Sequence, residues 1–253
     1  MKQYARGAGT GAARGVRPGP AARRGTAAAL SAATLVLATA CSVAGGGGAG
    51  SPSYGLQRGA AASPAATGPA GLAGKALKSD SVPGAKVTTP TDKEVPKADD
   101  VEADQTCRPL ARAVAGTALG GPEDTVVRRV SGDGLVTTVT LASYKEEEGA
   151  VDALARLSTA ADSCGQGFTM KVAGKERQVT GAVRELAPQG ADQAMGFGVT
   201  LRTDGSEFAQ KVIVMRRGAT VSLFTTTAAG ASASPKDLAV PPAVVDTQFA
   251  ALS

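Results

Sequence analysis

Between residues 168 and 227 the chain repeats one pattern five times: a stretch of strand-like apolar character, then a short break. The stretches are 168–172, 178–186, 195–202, 207–215 and 219–227. Consecutive strands with short connections pair antiparallel, because parallel pairing needs a crossover of a dozen or more residues. Val212 and Val214 alternate with Ile213 and Met215, an unbroken apolar run that suits a central strand. Arg217-Gly218 fits a hairpin tip.

The residues before this block supply helices and two more strands. Cys107, Leu110, Val114 and Ala118 recur at helical spacing and predict a helix over 104–118, closed by Gly120-Gly121, with Pro109 tolerated in its first turn. Strands are expected over 126–130 and 135–141, around an Asp133-Gly134 turn. Ser143 is placed to cap the next helix, with Glu146, Glu147 and Glu148 in its first turn, where acids favour the helix dipole. Its apolar face is Ala150, Leu154, Leu157, Ala161 and Cys164. Pro241 and Pro242 open a last helix with Val245, Phe249 and Leu252 on its face. The order predicts an α+β domain over 101–253: an antiparallel sheet of about five to seven strands with two to three helices packed on one face.

The N-terminal part has a different character. A 15-residue apolar run, 26–40, is too short for a membrane core of about 30 Å, which takes roughly 20 helical residues. Lys2, Arg6, Arg14, Arg17, Arg23 and Arg24 precede it with no acid, and Ala38-Thr39-Ala40 ends it. This is the layout of an export signal over 1–40, with Cys41 first in the mature chain. Leu37-Ala38-Thr39-Ala40-Cys41 is similar to the lipobox of bacterial lipoproteins, which makes Cys41 a lipidation site. Ala38-Thr39-Ala40 also fits the plain exit of a freely secreted protein. The Arg23-Arg24 pair matches a twin-arginine signal poorly. Residues 41–100 are rich in Gly, Ala, Pro, Ser and Thr and predict a disordered tether, roughly 40–45 Å end to end. The expected location is the extracytoplasmic face of the plasma membrane, held by lipid, or the medium if Cys41 carries none.

Charge follows the same division. The formal charge is +5, from 27 basic and 22 acidic residues. Six basic residues and no acid lie in 1–40, which leaves 21 against 22 in the rest. With no Trp and few aromatics, the mature chain lacks the footprint of a nucleic-acid binder. No histidine is present, which removes His-dependent nucleophile arrangements and His-ligated metal sites. No phosphate-binding or dinucleotide fingerprint occurs, so no cofactor is expected. The Glu146–Glu148 run reads as a solvated helix start, and Asp192, beside Gly190, as part of a turn. No catalytic residue is assigned.

Three cysteines are odd for an exported chain. Lipidating Cys41 leaves Cys107 and Cys164, both on apolar helix faces, and an oxidising compartment favours their pairing. Two buried free thiols are the alternative; two thiolates without histidine cannot complete a zinc shell.

The stretch SYKEEEGAVDALARLSTAADSCGQGF resembles a segment of the extracellular sensor domain of mycobacterial PknH-type serine/threonine kinases and related freestanding actinobacterial lipoproteins. ADQAMGFGVTLRT and KVIVMRRGATVSLF resemble the later strands of that family, and VVDTQFAALS its closing helix. The resemblance implies an antiparallel sheet flanked by helices around a cleft, a disulfide between Cys164 and Cys107, and binding of an extracellular ligand. This chain lacks the family's second cysteine pair. The implied function is a non-catalytic ligand-binding or sensor-like lipoprotein, whose partners are membrane lipid and an unknown ligand or envelope protein. The second reading is an envelope scaffold with no pocket.

Two readings of the strand arginines follow. Arg128, Arg129, Arg184, Arg202, Arg216 and Arg217 form the solvated half of a two-faced sheet, or some of them line a groove. In the groove reading Phe197 and Phe208 supply an apolar floor and Arg202 and Arg216 a cationic rim.

Overall fold

A computed structural model describes residues 69–229 and 236–253. The export signal, Cys41 and the first part of the predicted tether lie outside the described residues.

The fold is α+β, built on one nine-stranded antiparallel sheet. The strands are β1 (Lys86–Thr88), β2 (Val101–Ala103), β3 (Asp124–Gly132), β4 (Leu135–Ser143), β5 (Phe168–Val172), β6 (Lys175–Glu185), β7 (Gln193–Thr203), β8 (Ser206–Arg217) and β9 (Thr220–Ala228), in the order β1-β3-β4-β9-β8-β7-β6-β5-β2. The four described helices are α1 (Pro69–Lys75), α2 (Arg108–Ala115), α3 (Glu147–Cys164) and α4 (Pro242–Ala250). The seven longer strands are those expected from the sequence. The excess over five to seven comes from β1 and β2, three residues each, too short to carry a period.

Two-residue turns set the register. Asp133-Gly134 joins β3 to β4, and Asp204-Gly205 joins β7 to β8, each with both residues at positive φ. These mirror-image turns match the right-handed twist of the flanking strands. Ala173-Gly174 does the same between β5 and β6, with alanine at φ 49°.

The helices lie on both faces of the sheet, not on one. On the first face α2 and α3 bury Leu110, Val114, Leu154 and Leu157 against Phe197, Val199, Leu201, Val212 and Leu223. On the second, α1 and α4 bury Leu72, Val244 and Val245 with Val139, Leu141, Met215 and Phe224. A strand covered on both sides tends to be apolar at successive positions, which is why β8 reads as an unbroken apolar run from Val212 to Met215. Phe249 of α4 packs against the second core, and Leu252 is buried just beyond the helix.

The expected tether over 41–100 ends earlier than the sequence suggested. From Pro69 onward the chain is part of the domain. Leu72, Ala76, Leu77, Val82 and Val87 enter the second core, and β1 extends the sheet beside β3.

Two expected helix starts also shift. The first helix runs over Arg108–Ala115 rather than 104–118, and Gly116 at φ 73° stops it in the left-handed conformation that suits glycine. Ser143 ends β4 and does not cap α3; the N-cap is Glu146, and Glu147 and Glu148 occupy the first turn.

Candidate functional site

The end of α2 is fixed to the sheet by side chains that receive its carbonyls. Gln210 Nε2 donates to Val114 O at 2.8 Å, Thr140 Oγ1 to Gly116 O at 2.7 Å, and Thr225 Oγ1 to Ala113 O at 3.4 Å. The last carbonyls of a helix have no partner within it, so these buried polar residues complete the helix rather than form a reactive group.

Cys107, which precedes α2, is bonded to Cys164, the last residue of α3, with Cα atoms 5.7 Å apart. The link closes a loop of 57 residues, worth about 4 kcal/mol in the chain-entropy model. It ties the start of α2 to the end of α3. Near the other end, the Tyr144 hydroxyl donates to Leu119 O at 2.6 Å, and burial pushes its phenol well above the usual range. This bond holds the loop that leads into Gly120-Gly121.

Between these two fixed points α2 and α3 leave a cleft. One part has a volume of about 400 Å³ and is lined by Arg108, Arg112 and Arg156 together with Asp152, Gly120 and Gly121. A second part, also about 400 Å³, adds Thr106, Ala155, Thr159 and Ala160; the two share Gln105, Pro109, Asp152 and Arg156. The Nη1 of Arg112 donates to Gly120 O at 3.2 Å, so the glycine loop and the arginine brace each other. Sequence reasoning missed this cleft. Arg108 and Arg112, like Asp152 and Arg156, stand four apart on a helix, which by itself reads as a solvated face.

The four residues expected to form a sheet groove do not share one. Phe197 is fully buried on the first face, and Phe208 is half-buried on that same face. Arg202 pairs in register with Glu207 on the opposite face, where their side chains meet at 3.2 Å. Arg216 lies on the first face, that of Val212 and Val214, with its side chain only 7% exposed. It is held by three partners: Nη1 donates to Glu147 Oε1 at 2.6 Å and Gly218 O at 2.9 Å, and Nε to Gln193 Oε1 at 2.9 Å. Alternation with period two is the reason, because Phe197 and Arg202 differ by an odd number of residues and must face opposite ways.

The remaining strand arginines are clamps. Arg184 reaches from β6 to Asp162 and Ser158 of α3, with its guanidinium 5.6 Å from the Phe197 ring. Arg217 lies 3.9 Å from the Phe249 ring of α4. Arg128 donates to Leu77 O at 3.1 Å, and Arg129 pairs with Glu94 at 3.1 Å. Asp192 is indeed in a turn, where it accepts from Gly218 N at 2.7 Å. Among the described residues no group of three or more acidic or cysteine side chains is arranged to hold a metal ion.

No protein-family model matches the sequence, and no curated protein matches it significantly. Two solved structures are similar. One is that of an uncharacterised protein from Mycobacterium smegmatis, an ortholog of Rv0999, at 16% identity and a TM-score of 0.36, covering 67% of this chain and 89% of that one. The other is the extracellular domain of PknH from Mycobacterium tuberculosis, at 10% identity and a TM-score of 0.36, covering 66% of this chain and 80% of that one. The chain thus resembles the extracellular domain of PknH.

Proposed function

We propose that this chain is an extracytoplasmic, lipid-anchored binding protein, without catalytic activity of its own, whose ligand site is the cleft between α2 and α3. The cleft itself carries the reading. It is concave, within the volume range of small-molecule sites, and bears a few converging polar groups. Its walls are preformed, tied at one end by the disulfide and braced at the other by Tyr144 and Arg112. Binding rather than catalysis fits its chemistry: Asp152 is the one carboxylate among the lining residues, and the chain has no histidine. The disulfide suits an oxidising compartment, and the signal-like segment ending at Cys41 suits export and lipidation.

Native mass spectrometry of the protein extracted from its own membrane tests the binding reading. A co-purifying small molecule, lost when the cleft is altered by Ala155→Trp, is expected; a ligand retained in that folded variant would place the site elsewhere. Labelled fatty acid tests the anchor. Uptake should disappear in Cys41→Ala, and a wild-type chain that never takes up label would leave a freely secreted protein.

A second reading, an envelope scaffold, is favoured by Val183 and Leu186, two large apolar side chains that are 66% and 101% exposed.

A further inference from the structure

We infer that the ligand of the α2–α3 cleft carries an oxyanion, a phosphate, sulfate or carboxylate group, held by Arg108, Arg112 and Arg156. The inference rests on the reading of this cleft as the ligand site and names the chemistry that the site would recognise.

The charges in the cleft do not balance. Three guanidiniums line it, with Asp152 as the only acid among the lining residues. Arg156 Nε meets Asp152 at 2.8 Å, but both side chains are more than half exposed, so the pair is weak and open to exchange. The Arg112 side chain is 19% exposed, yet its nearest carboxylate is that of Asp99, 3.9 Å away and fully in solvent. Its Nη1 has the Gly120 carbonyl, and its Nε is buried with no acceptor. Arg108 has only the Ala103 carbonyl, at 3.5 Å. Four arginines elsewhere are charge-paired, while Arg128 and Arg217 meet backbone carbonyls. Arg129, Arg184, Arg202 and Arg216 each hold a carboxylate oxygen within 2.6 to 3.2 Å.

A buried guanidinium is stable when its charge is met and its donors are used. Arg112 has one donor without an acceptor and a charge that no close carboxylate meets, and it lines the cleft. The arginine fork matches the oxygen spacing of phosphate and carboxylate groups, which makes such a group the natural complement. Gly121 leaves open space where a side chain would stand, so an anion has access past bare backbone.

The test follows backbone amide resonances of the full chain during titration with inorganic phosphate, with ionic strength held constant by chloride. Saturable shifts confined to α2, α3 and the Gly120-Gly121 loop are expected. Arg112→Gln and Arg156→Gln should each weaken binding roughly tenfold, the scale of a lost charged hydrogen bond. Arg202→Gln, on the far face, should leave it unchanged. Arg156 is exposed, so its substitution keeps the fold even where Arg112→Gln loosens α2. Vesicles of phosphatidylglycerol and of phosphatidylcholine then separate the sources. Arginine-dependent binding to the anionic vesicles alone assigns a lipid headgroup, and phosphate binding without vesicle binding assigns a soluble anion; either upholds the inference. Shifts reproduced by chloride alone, or indifferent to Arg156→Gln, overturn it. A neutral molecule that moves the same amides, where phosphate does not, overturns the oxyanion and keeps the cleft as the site. Retention of a co-purified ligand in Ala155→Trp removes the site itself.

Discussion

Gln248 of α4 holds the backbone at Leu77 in place. Its Oε1 accepts from Leu77 N–H at 3.1 Å, and its Nε2 donates to the Lys75 carbonyl at 2.8 Å. The side chain is wholly buried, and the residues it joins are 171 apart in sequence. One amide therefore completes the end of α1 and ties the first described helix to the last. Gln248→Leu preserves much of the side-chain volume and removes both bonds. It should cost about 1–3 kcal/mol, because a buried donor and a buried acceptor lose their partners. Urea denaturation measures the loss, and hydrogen exchange at the Leu77 amide should accelerate by more than the global change accounts for. An unchanged midpoint would show that water replaces the amide at no cost.

The segment before Val101 should be indispensable. A chain that begins at Pro69 is expected to fold with the full-length transition. A chain that begins at Val101 loses Leu72, Leu77, Val82 and Val87 from the second core and uncovers part of the β3 edge. It should be insoluble or show no cooperative transition in near-ultraviolet circular dichroism or calorimetry. Equal midpoints for the two chains would return residues 69–100 to the role of a tether.

Arg216 should not be replaceable by lysine. Its fork serves Glu147, Gln193 and Gly218 at once, which one ammonium group cannot do from the same position. Glu147 and Asp192 are about half exposed and regain water when the guanidinium is removed, so the loss stays at ~1–3 kcal/mol. Arg216→Lys and Arg216→Gln should fall within that range and close to each other. Full recovery in the lysine variant would reduce the site to a point charge.

Reduction should act on the cleft before it acts on the sheet. Replacing Cys107 and Cys164 by alanine removes a link of the kind that typically contributes ~2–5 kcal/mol. The lower midpoint should be accompanied by faster amide exchange at residues 105–112, while the central strands β8 and β9 keep their protection up to global unfolding. Peptide mapping without reductant should recover one cross-linked pair, and full thiol labelling of both cysteines in the folded chain would remove the bond from the account.

The seven long strands and three of the four described helices were legible because each buries a face with its own period. Residues 69–88 were not. Leu72, Leu77, Val82 and Val87 step by five along a segment that is helix, turn and strand in succession, and five matches neither period. The apolar run from Val212 to Met215 marked a central strand, but helices were expected on one face only, because which elements cover a sheet is a matter of tertiary packing. The groove expected from Phe197, Phe208, Arg202 and Arg216 failed on parity, which the strand alternation contained. The arginine cleft could not be read at all: Arg112 and Arg156 come together only because the disulfide and the sheet set α2 beside α3.

β1 and β2, the two strands at the outer margins of the sheet, come from one short segment. Only residues 89–100 separate them, and within these Thr91, Asp92, Lys93 and Glu94 are exposed. Each margin thus ends on three residues, too few to template the addition of another chain. The two margins share one safeguard. A single proteolytic cut after Lys93 would leave each guard strand held by its own few hydrogen bonds. If both detached, β3 and β5 would be open to strand exchange with other molecules, so damage at one surface turn exposes opposite ends of the sheet.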